Sequence, residues 1–199
     1  MLEVVLYIFR LIRAGFRYYL RVGPFWLAFS YIVTLAGAGI VFQYSRKHRL
    51  TKLQIAALIL QIFHLTVVFV STVLSRSARE AYSYNLDPFW GEKAVLAGLT
   101  WRWLGLFANT LLLCPMGILL PMISRDFRWR KILAAGFMTS FLIEILQLLL
   151  KRGYFETSDL LHNTLGVMIG YWLYLAIFCL VKRCQEAPGK HRDVDRSKI

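Results

Sequence analysis

Residues 132–181 read ILAAGFMTSFLIEILQLLLKRGYFETSDLLHNTLGVMIGYWLYLAIFCLV. Two apolar runs, Ile132–Leu150 and Asn163–Val181, flank a short polar segment. Each run is about 20 residues long, which at about 1.5 Å per residue matches the roughly 30 Å hydrocarbon layer of a bilayer. Lipid offers no partner to backbone N–H and C=O groups, so runs of this kind are read as helices. Polar residues interrupt the pattern: Glu144 and Gln147 lie inside the first run, and Arg152, Asp159 and Asn163 follow it. A carboxylate in an apolar layer is costly unless paired or protonated, which makes such a group a functional candidate.

The same reading extends toward the N-terminus, where Pro24–Tyr44, Leu53–Ser75 and Leu104–Ile123 are also of spanning length. With 58% hydrophobic and 18% charged residues, the chain is expected to be an all-α membrane protein of about five transmembrane helices over residues 23–181. It leaves no room for a separate soluble domain. Residues 1–22 lack a charged region ahead of their apolar part and a small-residue cleavage site, so they do not read as a signal peptide. Arg10, Arg13, Arg17 and Arg21 share one side of a helix there, with Val5, Phe9, Ile12, Phe16 and Tyr19 opposite. The expectation is an N-terminal amphipathic helix lying in the membrane interface. Residues 182–199 are polar and mixed in charge, and are expected to form a disordered cytoplasmic tail.

The net charge of +13 does not indicate nucleic-acid binding, because the basic residues fall in short loops and termini where they orient the protein and meet anionic headgroups. The 46–52 and 125–131 loops and the tail carry more than half of the 24 Lys and Arg, so the expected topology is N-terminus outside, C-terminus cytoplasmic. Cys114, Cys179 and Cys184 form no CxxC pair, and no disulfide framework is implied. Metal-binding motifs and phosphate-cradling glycine loops are missing, so neither a metal nor a cofactor is expected. Glu144, Asp159 and His162 have the residue types for a metal, a reading the motif pattern does not favour.

On this topology the polar residues of five stretches reach one depth. Ser71, Thr72, Ser75 and Arg76 end the second span, Ser83–Glu92 forms a loop, Asn109 begins the third span, Glu144 and Gln147 end the fourth, and Asp159, His162 and Asn163 begin the fifth. Ser140, Glu144 and Gln147 share a helical face. Arg152 is positioned to reach back to Glu144, with Asn163 or His162 as further donors, and Thr157 or Ser158 as helix cap. Gly166 and Gly170 form a GxxxG whose expected use is to bring Asp159 and Asn163 against the fourth helix, although a dimer contact is equally open. Pro115 and Pro121 are expected to kink or end the third helix, and His64 reads as a packed residue. A bland alternative accounts for Glu144, Gln147 and Asn163 as glue between helices, and for Arg152 as a headgroup contact.

The segments YNLDPF, Asn109 with Pro115-Met-Gly and Pro121, and above all IEILQ followed by KRGYFETSDLLHNTLGVMIGY resemble the VanZ-like membrane proteins of bacteria. The resemblance covers about residues 82–175, and its last block is the specific part. It implies a multi-pass protein of the bacterial plasma membrane, with a namesake that gives low-level resistance to the lipoglycopeptide teicoplanin. Carried over by position, the family's polar set falls on Asn85, Pro88, Phe89, Asn109, Glu144, Gln147, Arg152, Asp159 and Asn163. The chain departs from many relatives between Arg152 and Asp159, where Glu156 stands in for a second acid.

Two functional readings follow. In one, an outward polar pocket binds a lipid headgroup or lipid-linked envelope precursor through Asn85, Asn109, Gln147, Arg152, His162 and Asn163, with Pro88, Phe89, Gly166 and Gly170 structural, and so acts indirectly against a lipoglycopeptide. In the other, an intramembrane enzyme uses Glu144 or Asp159 as acid or base and Arg152 to hold a phosphate. A small transporter is disfavoured, since paired halves with broken helices are not apparent. Oligomeric state is left open.

Overall fold

The computed structural model describes residues 23–99, 101–124 and 126–186. The expected amphipathic N-terminal helix and residues 187–199 of the polar tail lie outside the described residues. Helix α1, Pro24–His48, opens with proline in its first turn, where the missing N–H costs nothing, and closes at Arg49 in the left-handed region (φ 49°). Helix α2, Lys52–Phe69, opens on a reciprocal cap between Thr51 and Gln54 and runs into a π-helical turn, Val70–Leu74. Next come strand β1 (Tyr84–Asn85), helix α3 (Trp90–Leu96), helices α4 (Arg102–Leu112) and α5 (Cys114–Ile123), helix α6 (Trp129–Leu149), strand β2 (Phe155–Glu156) and helix α7 (Thr157–Glu186).

Among the described residues five stretches are long and apolar enough to cross a membrane: Pro24–His48, Lys52–Leu74, Arg102–Ile123, Trp129–Leu149 and Thr157–Gln185. The chain is an all-α membrane protein, as the sequence indicates. The fifth span begins earlier than expected, and Asp159 and His162 lie inside it. The reason is local: β1 and β2 pair in parallel, with Tyr84 opposite Phe155 and Asn85 opposite Glu156. That pairing holds the chain extended up to Glu156 and lets the helix start directly after. At the other end α7 continues through residues 182–186, which were expected to open the tail.

The third span is broken at Leu113. Pro115 has no N–H to give, and Met116 turns its own to Leu113 at 3.1 Å, so the Leu112 carbonyl loses its helical donor. His64 of α2 supplies one, its Nε2 standing 2.9 Å from that oxygen. A carbonyl only accepts, so Nε2 carries the hydrogen. His64 is therefore more than packing. Pro121 is accommodated inside α5.

Helix α7 packs against α4, α5 and α6, while α1 rests on α2 and α2 on α5. The core at these seams comprises Val68, Val73, Leu113, Met116, Leu120, Ile132, Ile143 and Val167. The glycine face of α7 meets the third span, where the sequence suggested the fourth. A Cβ on Gly166 would fall on the Thr110 carbonyl, and one on Gly170 on the Cys114 carbonyl. Gly117 lies equally close to the Val167 carbonyl. Bare backbone at these points is what lets the helices touch. Against α6 the contact is Gly136 with Val167, joined by a hydrogen bond from Asn163 to Ser140 at 3.0 Å.

Candidate functional site

The C-terminal end of α2, the N-terminal ends of α4 and α7, and the C-terminal end of α6 lie on one side of the molecule. A cavity of about 830 Å³ opens there. Its walls carry Arg76, Arg79, Arg102 and Arg152, two acids, Glu156 and Asp159, and the rings of Trp90, Trp101, Tyr84 and Tyr154.

The turn after α6 places several of these groups. Lys151 adopts a left-handed conformation (φ 53°), and its N–H bonds Leu148 while that of Arg152 bonds Gln147. This pair of bonds closes the helix in a Schellman arrangement without glycine. The chain then turns so that Arg152 reaches the Leu74 carbonyl at the end of the π-helical turn. Gln147 donates to the neighbouring Thr72 carbonyl at 3.0 Å. Gly153 packs against the Gln147 side chain, where a Cβ would crowd the amide oxygen. Both residues thus complete the end of the second span, whose last carbonyls have no intrahelical donor.

Glu144 is 1% exposed and accepts the Glu156 N–H at 3.0 Å. Its expected partners are engaged elsewhere: Arg152 on Leu74, Asn163 on Ser140, and His162 on the Ser158 carbonyl at 2.7 Å and Glu92 at 3.3 Å. A carboxyl is tolerated at this depth because it faces the positive N-terminal end of α7 and lies near Arg76. Asp159, in the first turn of α7, lies in the electrostatic field of Glu144, Glu156, Arg76 and Arg102, beside Asn109 of α4. Neither residue expected to cap α7 does so. Thr157 gives its hydroxyl to the Asn85 carbonyl, and the buried Ser158 hydroxyl has no partner among the described residues.

The predicted residues therefore separate into three sets. Asn85, Arg152 and Asp159 line the cavity. Glu144, Gln147, Asn109 and Asn163 are buried beneath it. His162 points away to Glu92 of α3, and Phe89 is exposed at the start of that helix. Asn85 also accepts the Asp87 N–H at 3.0 Å, which shapes the turn through Pro88. Among the described residues no group of three or more His, Cys, Asp and Glu is placed to hold a metal ion.

Arg102 escaped the sequence reading, as did Arg79, Trp90, Trp101 and Tyr154. Arg102 bonds Glu156 at 2.7 Å, with both side chains largely buried, and lies 4.0 Å from the Trp90 ring centre. Arg79 sits 3.8 Å over the Tyr154 ring. The one signal was Trp101-Arg102-Trp103, which also fits an ordinary membrane-interface marker. Arg76 forms no hydrogen bond or ion pair within the described residues. Its guanidinium faces the cavity with only the longer-range field of the two carboxyls.

A model of the VanZ/LLP1 family matches residues 55–180. That stretch contains every residue that lines the cavity. No curated protein and no solved structure matches the chain.

Proposed function

Because the chain belongs to the VanZ/LLP1 family, we propose that it is a bacterial envelope protein whose cavity binds the anionic head of a lipid or lipid-linked envelope molecule, lowering the action of a lipoglycopeptide such as teicoplanin. The observation that carries this reading is the wall of four arginines against two acids, one acid already paired with Arg102. Guanidinium groups suit phosphate because their planar donors match its oxygens, and the tryptophan and tyrosine rings fit the interface level at which headgroups lie. In the expected topology, with the C-terminus cytoplasmic, the cavity faces outward, where a lipoglycopeptide meets its target.

A second reading rests on Glu144 and Asp159. Two neighbouring carboxyls near Arg76 could move a proton to or from a phosphate-bearing ligand, which would make the protein an enzyme acting on that ligand.

The test is binding by the full-length protein in phosphatidylcholine nanodiscs, read by native mass spectrometry with phosphatidic acid or a polyprenyl phosphate as the added lipid. Arg76→Gln and Arg79→Gln should each weaken retention about 10-fold, the loss expected for one charge-assisted bond worth about 1.4 kcal/mol. Unchanged retention in both would overturn the binding site. Cells expressing Glu144→Gln or Asp159→Asn then divide the two readings. Lost teicoplanin protection with lipid binding intact favours catalysis, while joint loss favours a receptor. Protection at the wild-type level in both variants would remove these carboxyls from the function.

A further inference from the structure

The chain leading from the second span into the third carries the most exposed large apolar side chain among the described residues. Leu96 is 87% exposed, and Leu86, Phe89, Leu99, Trp101 and Trp103 are exposed with it. Each charged side chain in the segment has a polar side chain of opposite or compatible kind beside it. Asp87 holds Lys93 at 2.7 Å, Glu92 holds His162 at 3.3 Å, and Arg102 holds Glu156 at 2.7 Å. Water gives no reason to display leucine and tryptophan together, whereas the headgroup level favours tryptophan and accepts an apolar face turned toward the lipid chains. The surface is also continuous with a spanning helix, because Trp103 and Phe107 of α4 are exposed on a stretch that crosses the bilayer.

We propose that residues 86–99 and 101–103 are seated in the leaflet on the cavity's side of the membrane, and that the cavity takes its ligand sideways from that leaflet, as a lipid. Trp101 makes the connection. It lines the cavity, is 62% exposed, and follows closely in the chain on the exposed Leu96 and Leu99, so the cavity rim and the apolar surface share this stretch of chain. Trp90 forms the adjoining wall and stacks on Arg102. A phosphate carried on a lipid can then reach the arginines while its chains stay in hydrocarbon. Sideways entry rests on the binding role proposed above, whereas membrane seating does not.

The experiment places a nitroxide at Leu96→Cys or Leu99→Cys, in protein carrying Cys114→Ala, Cys179→Ser and Cys184→Ser, reconstituted in phosphatidylcholine bilayers. Both labels should collide several-fold more with oxygen than with a water-soluble nickel chelate. A preference for nickel at both sites would overturn the proposal, and so would spin–spin broadening that shows a second copy covering the surface. Should the cysteine-free protein fail to fold, quenching by chain-brominated lipids gives the answer with native cysteines. Trp101→Phe should then reduce the quenched fraction of tryptophan emission, and an unchanged fraction counts against the seating. The kind of ligand is read by adding inorganic phosphate to the phosphatidic acid binding assay. A site for a lipid-borne phosphate predicts no displacement at millimolar phosphate, and displacement would assign the site to a soluble ion. Loss of all lipid binding with lipid-seated labels would instead sink the binding role alone.

Discussion

At single positions the outcome is set by what each atom faces. Gly166, Gly170 and Gly117 each lie against a backbone carbonyl of a neighbouring helix, which cannot move as a side chain can. Alanine at any of them forces α7 and the third span apart, and overpacking of this kind costs about 1–3 kcal/mol or more. A fall of several degrees in the thermal midpoint of detergent-solubilised protein is expected for Gly166→Ala, whereas Gly39→Ala, which meets nothing within 4 Å, should leave the midpoint unchanged or slightly raised. At Glu144 the glutamine variant keeps an oxygen for the Glu156 N–H. Glu144→Leu leaves that N–H buried without a partner, at about 1–3 kcal/mol, and the two variants should separate in the same melting experiment. The carboxyl's conspicuousness in an apolar run was legible from the chain alone. Its partner was not, because a backbone N–H of the following turn leaves no trace in the side-chain pattern.

Helices end and break inside this bundle, and polar side chains from neighbouring helices meet the carbonyls so freed. Gln54 donates to Ile123 at 2.9 Å, His64 to Leu112 at 2.9 Å, Gln147 to Thr72 at 3.0 Å, and Arg152 to Leu74. Interhelical hydrogen bonds within membranes are worth about 0.6 kcal/mol on average and up to about 1.7. His64→Leu and Gln147→Leu should therefore each lower stability by about that amount, measured by unfolding in mixed micelles. Changes beyond about 3 kcal/mol would show a larger role than the single bonds suggest. At the start of α3, the hydrogen bond from Lys93 holds the Asp87 carboxyl below its ordinary value. A depressed carboxyl stabilises the folded form above the unfolded pKa of about 3.9 and loses that contribution as pH falls through its lower folded value. Acidification below about pH 4 should loosen this turn in the wild type and leave Asp87→Asn flat, as hydrogen exchange of the α3 amides would register. The spans themselves were visible from apolar length, and Pro115 signalled the break in the third. The π-helical turn was not visible, since the side chains that meet its carbonyls come from α6 and the turn after it, and α3 is too short to leave an apolar period.

For the whole molecule, the meeting of span ends at one cavity was legible in outline, because alternating spans return the chain to the same side at predictable points. The composition of the cavity was less so. Glu144, Gln147 and Asn163 stood out in apolar runs yet lie beneath the floor, while Arg76, Arg79 and Arg102 sat in the loop where basic residues are ordinary. Hydropathy marks the residues that are out of place, and those here are mostly structural supports. The cavity-facing arginines were in keeping with their surroundings. The supports also impose an order on how the protein is made. The partners that finish the second span, Gln147 and Arg152, come 75 and 78 residues after the carbonyls they bind. During synthesis the second span must therefore wait in the membrane with its end incomplete until the fourth has emerged and turned. A chain released before residue 147 would carry three spans of adequate length and still be open to quality-control proteolysis at that unfinished end.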